Sequence, residues 1–152
     1  MRLWISRVAL VLSLAVLPLL ATGCGAPPQY PVSGTVTFKG KPLEGCKVIF
    51  YPDVSLVNPE VHGFGFGVTD KNGRYEIQHP QGEKGIRAGR YKVAFVCWVD
   101  NKGKAVPFDA KPSEYPGGLK NLVGDKYEAP SSSPEVATVS VGGGTIDFNL
   151  QP

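Results

Sequence analysis

From Val32 onward, apolar and polar residues alternate in short runs. Val32, Val36 and Phe38 share one phase, and Ser33, Thr35 and Thr37 share the other. Cys46, Val48 and Phe50 form a second inward set, and Phe64, Phe66 and Val68 a third, alternating with Gly63, Gly65 and Gly67. Tyr75 and Ile77 form a fourth. Tyr91, Val93, Phe95, Cys97 and Val99 form the longest, with Ala94, Val96 and Trp98 making the opposite face apolar too, as in a central strand. Ala137, Val139 and Val141 lead through Gly142-Gly143-Gly144 into Ile146, Phe148 and Leu150. A period of two predicts strands, and Lys39-Gly40-Lys41-Pro42 and Asp70-Lys71-Asn72-Gly73 predict turns between them. Seven such strands, with no amphipathic helix of 10 or more residues, predict an all-β fold, a seven-stranded antiparallel β-sandwich over residues 32–152.

One stretch breaks the short spacing. Residues 100–134 are rich in Gly, Pro, Ser and Lys, with scattered Phe108, Tyr115, Leu119 and Leu122. A loop this long in a small domain is usually functional or partly structured. It is a candidate interaction surface, or an insertion packed by its own aromatics.

The N-terminal residues follow a different pattern. Arg2 and Arg7 are followed by an apolar run from Val8 to Leu20, interrupted by Ser13 and Pro18. Its 13 residues match a signal-peptide core and fall short of the roughly 20 that a spanning helix needs. Leu20-Ala21-Thr22-Gly23-Cys24 resembles the lipobox of bacterial lipoproteins. That resemblance implies cleavage after Gly23 and diacylglyceryl transfer to the Cys24 sulfur. Ala21 stands where the family prefers Leu. An ordinary secretory signal or an uncleaved anchor are the other readings. Residues 1–23 are therefore expected to be a leader, and 24–31 a lipidated Cys with a Pro-rich tether. Gly25, where Asp would resemble an inner-membrane retention signal, points to the outer membrane.

Composition sharpens this division. Seven of the twelve Leu precede Cys24, whereas 15 of the 18 Val follow it, and β-branched side chains favour strands. Of 16 basic and 13 acidic residues, Arg2 and Arg7 belong to the leader, which leaves a nearly neutral domain without basic clusters. No nucleic-acid partner is expected.

Several phrases resemble the carboxypeptidase regulatory-like, or transthyretin-like (prealbumin-like), sandwich domains found in bacterial lipoproteins. They are Pro31-Val32-Ser33-Gly34-Thr35-Val36 through Leu43, Val48-Ile49-Phe50, Thr69-Asp70-Lys71-Asn72-Gly73-Arg74-Tyr75, Gly89-Arg90-Tyr91-Lys92-Val93, Lys126-Tyr127, and Thr145-Ile146-Asp147-Phe148-Asn149-Leu150. The resemblance implies an immunoglobulin-like Greek-key sandwich, usually non-catalytic, with no family-wide substrate. Fold alone does not give function.

Candidate chemistry is sparse. Asp70-x-Asn72-Gly73 lacks the Gly and Glu spacing of an EF-hand and reads as a hairpin turn. Cys46 and Cys97 fall on inward phases, as a disulfide or as two separate buried thiols. His62 and His79 sit beside Gly or Pro as loop residues. No Ser motif supports a triad, and Gly142-Gly143-Gly144 lacks the Lys and helix of a phosphate loop. The glycine-faced strand invites close approach by a backbone or flat ligand. Phe64, Phe66, Trp98, Phe108 and Tyr115 are the candidate binding surface, the alternative being tight packing of the glycines under the long loop. No catalytic residue, metal or cofactor is assigned.

The expectation is a lipid-anchored module facing the periplasm or cell surface, non-enzymatic, binding an envelope protein or polysaccharide. A small-molecule, carbohydrate or metal binder using the Gly-faced strand and long loop is the second class, and a hydrolase the third.

Overall fold

The computed structural model describes residues 27–58 and 61–152, so the leader and Cys24 lie outside the described residues. Thirteen strands follow in chain order: β1 (Gln29–Tyr30), β2 (Val32–Phe38), β3 (Lys41–Pro42), β4 (Lys47–Pro52), β5 (Gly65–Val68), β6 (Arg74–Glu76), β7 (Ile86–Arg87), β8 (Gly89–Val96), β9 (Trp98–Val99), β10 (Lys120–Asn121), β11 (Val136–Val139), β12 (Gly144–Thr145) and β13 (Phe148–Leu150). Those longer than two residues are β2, β4, β5, β6, β8, β11 and β13, at the places where the alternation predicts strands.

Two sheets face each other. The first runs β11-β8-β4-β5, antiparallel throughout, with Phe50 opposite Val93 and Val48 opposite Phe95. The second is built around β2, with β6 and β3 antiparallel on one flank and β12 and β13 parallel on the other. The parallel pairing follows from a crossing: after β11 the chain leaves the first sheet and runs beside β2 in β2's own direction. Gly143 makes that crossing at φ +79°, where a Cβ would collide with the Pro31 carbonyl. The Gly144 N–H then bonds Pro31 O at 3.0 Å.

The core is an aromatic cluster shared by both sheets. Phe50 and Phe95 from the first sheet meet Phe148 of the second at ring-centroid distances of 6.2 and 5.0 Å, both edge-to-face. Tyr91 lies 5.8 Å from Phe50, and Tyr75 6.4 Å. Edge-to-face pairs add about 0.5–1.5 kcal/mol beyond area burial, and a buried Tyr must satisfy its hydroxyl. Each of these tyrosines does so on a backbone carbonyl at a break in the ladders. Tyr75 donates to Ile146 O at 2.6 Å, between β12 and β13, and Tyr91 to Arg87 O at 2.7 Å. Burial pushes the Tyr91 phenol up to about 12; it raises Tyr75 further, helped by the Asp147 charge.

Candidate functional site

The outer face of the first sheet gathers part of the predicted aromatic surface. Ile49, on β4, stands opposite Phe66 on β5 and Ala94 on β8. Lys47 holds its ammonium 4.5 Å from the Phe66 ring centroid and 4.9 Å from that of Phe108, which the long loop carries back over the sheet. Phe64 packs on Tyr51 at 5.1 Å. Phe64, Phe66 and Phe108 thus share one face and are each half-buried. No ring contact links Trp98 or Tyr115 to this group among the described residues. Lys47 and Tyr51 are the members of this surface that sequence reasoning missed, although both alternate in phase with Ile49.

The glycines reverse the expected orientation of β5. Phe64, Phe66 and Val68 were expected inward, but Gly63, Gly65 and Gly67 are the buried set, and Val68 is exposed. A Cβ on Gly65 would come within 2.6 Å of Ile77 Cγ2, and one on Gly67 would stand against the Glu76 carbonyl. The cause is the approach of the two sheets at this edge, where the N–H groups of Phe66 and Gln78 exchange bonds with each other's carbonyls at 2.9 Å. Gly65 and Gly67 pack under β6 and Ile77, and Gly63 packs against Ile86, Arg87 and the Tyr91 hydroxyl, rather than under the long loop. Of the two readings of the glycine-faced strand, the structure has the tight packing, although not under the long loop.

The long loop is folded back onto the domain. β10 pairs with β9, and the buried Asn121 clamps the strand end: its Nδ2 donates to Phe95 O at 2.8 Å and its Oδ1 accepts from the Cys97 N–H at 3.1 Å. Tyr127 packs edge-to-face on Phe95 at 6.0 Å and donates to Gln151 O at 3.0 Å. The Ser133 hydroxyl donates to Val93 O at 2.5 Å. Neither Asn121 nor Ser133 was legible as a clamp, because a polar residue in a polar loop carries no periodic signal. Beside this clamp, Cys46 and Cys97 are joined as a disulfide with Cα atoms 4.3 Å apart. They flank the Lys47–Val96 register pair and so stand opposite each other across β4 and β8.

A cleft of about 730 Å³ lies over the outer, polar face of the second sheet, lined by Ser33, Thr35, Arg74, Glu76, Thr145 and Asp147 among others. Two of its carboxylates, Asp70 and Asp147, are already engaged in structure. Asp147 Oδ1 accepts from the Thr35 N–H at 2.7 Å and its hydroxyl at 2.8 Å, taking the place of a ladder acceptor between β12 and β13. Asp70 Oδ1 accepts from the N–H groups of Asn72 and Arg74 at 2.8 and 2.9 Å, which closes the predicted turn, with Gly73 at φ +75°. These amides, Arg74's foremost, hold the Asp70 carboxyl below its usual range. Asp100 repeats the device, accepting from Lys102 and Lys104 at 2.9 Å each. The signal was present in Asp100-Asn101-Lys102-Gly103-Lys104, which has the spacing of the first turn. His62 Nδ1 accepts from the Asn58 N–H at 2.8 Å and His79 lies in a turn, so the structure uses both histidines locally.

The fold defines a class, an all-β sandwich with two facing sheets. No family model matches the chain, and no curated protein matches it. Solved structures are similar in part. The major pilin subunit of Bacillus cereus is 14% identical with a TM-score of 0.42, covering 82% of this chain and 30% of the pilin. A candidate carbohydrate binding protein from Pseudomonas aeruginosa is 15% identical with a TM-score of 0.39, covering 84% of this chain and 91% of that one. A DUF3823 family protein from Parabacteroides merdae is 15% identical with a TM-score of 0.35, at 82% and 46% coverage. The chain thus spans less than half the length of two of these three.

Proposed function

We propose that the chain is a cell-envelope lipoprotein, anchored through an acylated Cys24, whose transthyretin-like β-sandwich acts as a non-enzymatic binding or structural module. The observation that carries this reading is the register between leader and domain. Charge, apolar core and small residues converge on Cys24, and the first paired strand begins five residues later at Gln29. No helix among the described residues is long and apolar enough to cross a membrane. Two or more acyl chains hold a protein stably where one does not. The engagement of Asp70 and Asp147 with backbone amides supports a structural rather than catalytic use of those carboxylates.

The surface offered to an envelope protein or polysaccharide is the face bearing Phe64, Phe66, Phe108 and Lys47. The polar cleft favours a second reading, a small polar ligand such as a saccharide held by Ser33, Thr35, Arg74 and Glu76. Fractionation of cells expressing the whole chain tests the anchor. The wild-type protein is expected in membranes as a processed form, and Cys24→Ser is expected to accumulate unprocessed. Equal processing of both would refute the lipoprotein reading.

A further inference from the structure

Apolar exposure is concentrated at one end of the sandwich. Of the eight large apolar side chains exposed among the described residues, Val54, Leu56, Val57 and Val61 lie in the connection after β4, and Val141 in the one after β11. Leu56 is 83% exposed and Val141 79%. The stretch Val54-Ser55-Leu56-Val57-Asn58 carries no charge. The connections belong to the same end. Pro52 is opposite Tyr91 and Val139 is opposite Gly89, so both strands finish where β8 begins. The Asp53 N–H bonds Arg90 O at 2.9 Å, and an Asp53–Arg90 ion pair at 2.9 Å reinforces the junction.

The tether emerges there too. β1 pairs antiparallel with β7, Gln29 opposite Arg87, so the chain before Gln29 runs toward Ala88 and Gly89. Arg87 Nη1 lies 3.5 Å from His62 O, which ties the tether's entry to the far side of the same apolar connection. Cys24 lies five positions before Gln29, a reach of at most about 18 Å. A lipid anchor on Cys24 would therefore hold this end, and no other, against the headgroups.

We infer that the apolar connection bearing Val54, Leu56, Val57 and Val61, together with Val141, docks into the lipid surface and fixes the domain's orientation beside its anchor. Singly scattered apolar side chains need no partner, whereas apolar side chains gathered beside an anchor are placed to meet the surface it holds them against. Apolar side chains placed in the headgroup boundary leave water much as the face of an interfacial helix does. In this pose the turn Asp70–Gly73 and the base of the long loop, at the other end of β6 and β8, point away from the bilayer and toward envelope partners. The inference rests on the anchoring at Cys24.

The test uses the whole, lipidated chain in vesicles of phosphatidylethanolamine and phosphatidylglycerol. Nitroxide labels are placed at Leu56→Cys, at Val141→Cys as a second docking position, and at Lys71→Cys in the opposite turn. Collisions with oxygen, which concentrates in lipid, are compared with those of an aqueous nickel chelate. Positions 56 and 141 are expected to favour oxygen several-fold, and position 71 to favour nickel. Water-like labels at 56 and 141 in vesicle-bound protein would overturn the docking and leave the anchor standing. A label at 56 shielded from both reagents would overturn it in favour of a protein cover. Failure of the wild-type chain to remain with the vesicles would overturn both anchor and docking.

Discussion

Substituting Gly67→Ala separates a buried glycine face from an open one, because the two arrangements give opposite signs. On an open strand face, alanine loses less backbone freedom on folding, and the change would stabilise by about 0.4–1 kcal/mol. In the structure a Cβ at Gly67 meets the Glu76 carbonyl, with Glu76 C at 3.0 Å, and these are backbone atoms that move only if the sheet edges part. Overpacking of this kind costs about 1–3 kcal/mol. The net expectation is a loss of about 1–2 kcal/mol, or a fall in Tm of roughly 4–8 °C for a domain of this size. Gly65→Ala should cost less, since its nearest neighbour is the Ile77 side-chain atom at 2.6 Å, and Gly63→Ala should also cost less than Gly67→Ala, because it meets backbone only at Arg87 N, 2.9 Å away. Thermal and urea unfolding of the three variants checks the order. A neutral or stabilising Gly67→Ala would refute the packing of β5 against β6.

Asn121→Ala removes both partners of a buried pair of backbone groups, Phe95 O and the Cys97 N–H. With about 1–3 kcal/mol for each group left unsatisfied, a loss of about 2–4 kcal/mol is expected in urea, with faster hydrogen exchange at Cys97. An unchanged exchange rate would contradict the clamp. At alkaline pH the sign follows from the raised phenols: a folded pKa above the unfolded value stabilises below pH 10, and that contribution is lost as pH rises through about 12 for Tyr91. Ultraviolet titration is expected to show Tyr75 and Tyr91 ionising only as the fold is lost. Their titration in the native protein near pH 10 would count against the buried cluster.

Much of the fold was legible in the alternation. The runs around Val32–Phe38, Val48–Phe50 and Tyr91–Phe95 put the expected residues inside, because β-branched and aromatic side chains there alternate with polar ones. β5 shows the limit. Period two was right but its face was inverted, since hydrophobicity assigns Phe64 and Phe66 inward, whereas the spacing of the sheets at that edge admits only glycine. The parallel pairing of β13 with β2 joins residues more than a hundred positions apart, which local pattern cannot specify. The candidate surface was half legible. Three of its five aromatics share a face, and the cation between them, Lys47, carried no signal beyond its phase.

The central claim is the anchor at Cys24, and the mass of the mature N-terminus tests it most directly. Protein extracted from membranes should begin at Cys24, with the N-terminal peptide heavier than its amino-acid sequence by a diacylglyceryl group or more. A membrane-extracted chain that begins elsewhere, or whose Cys24 peptide has only its amino-acid mass, would contradict the account.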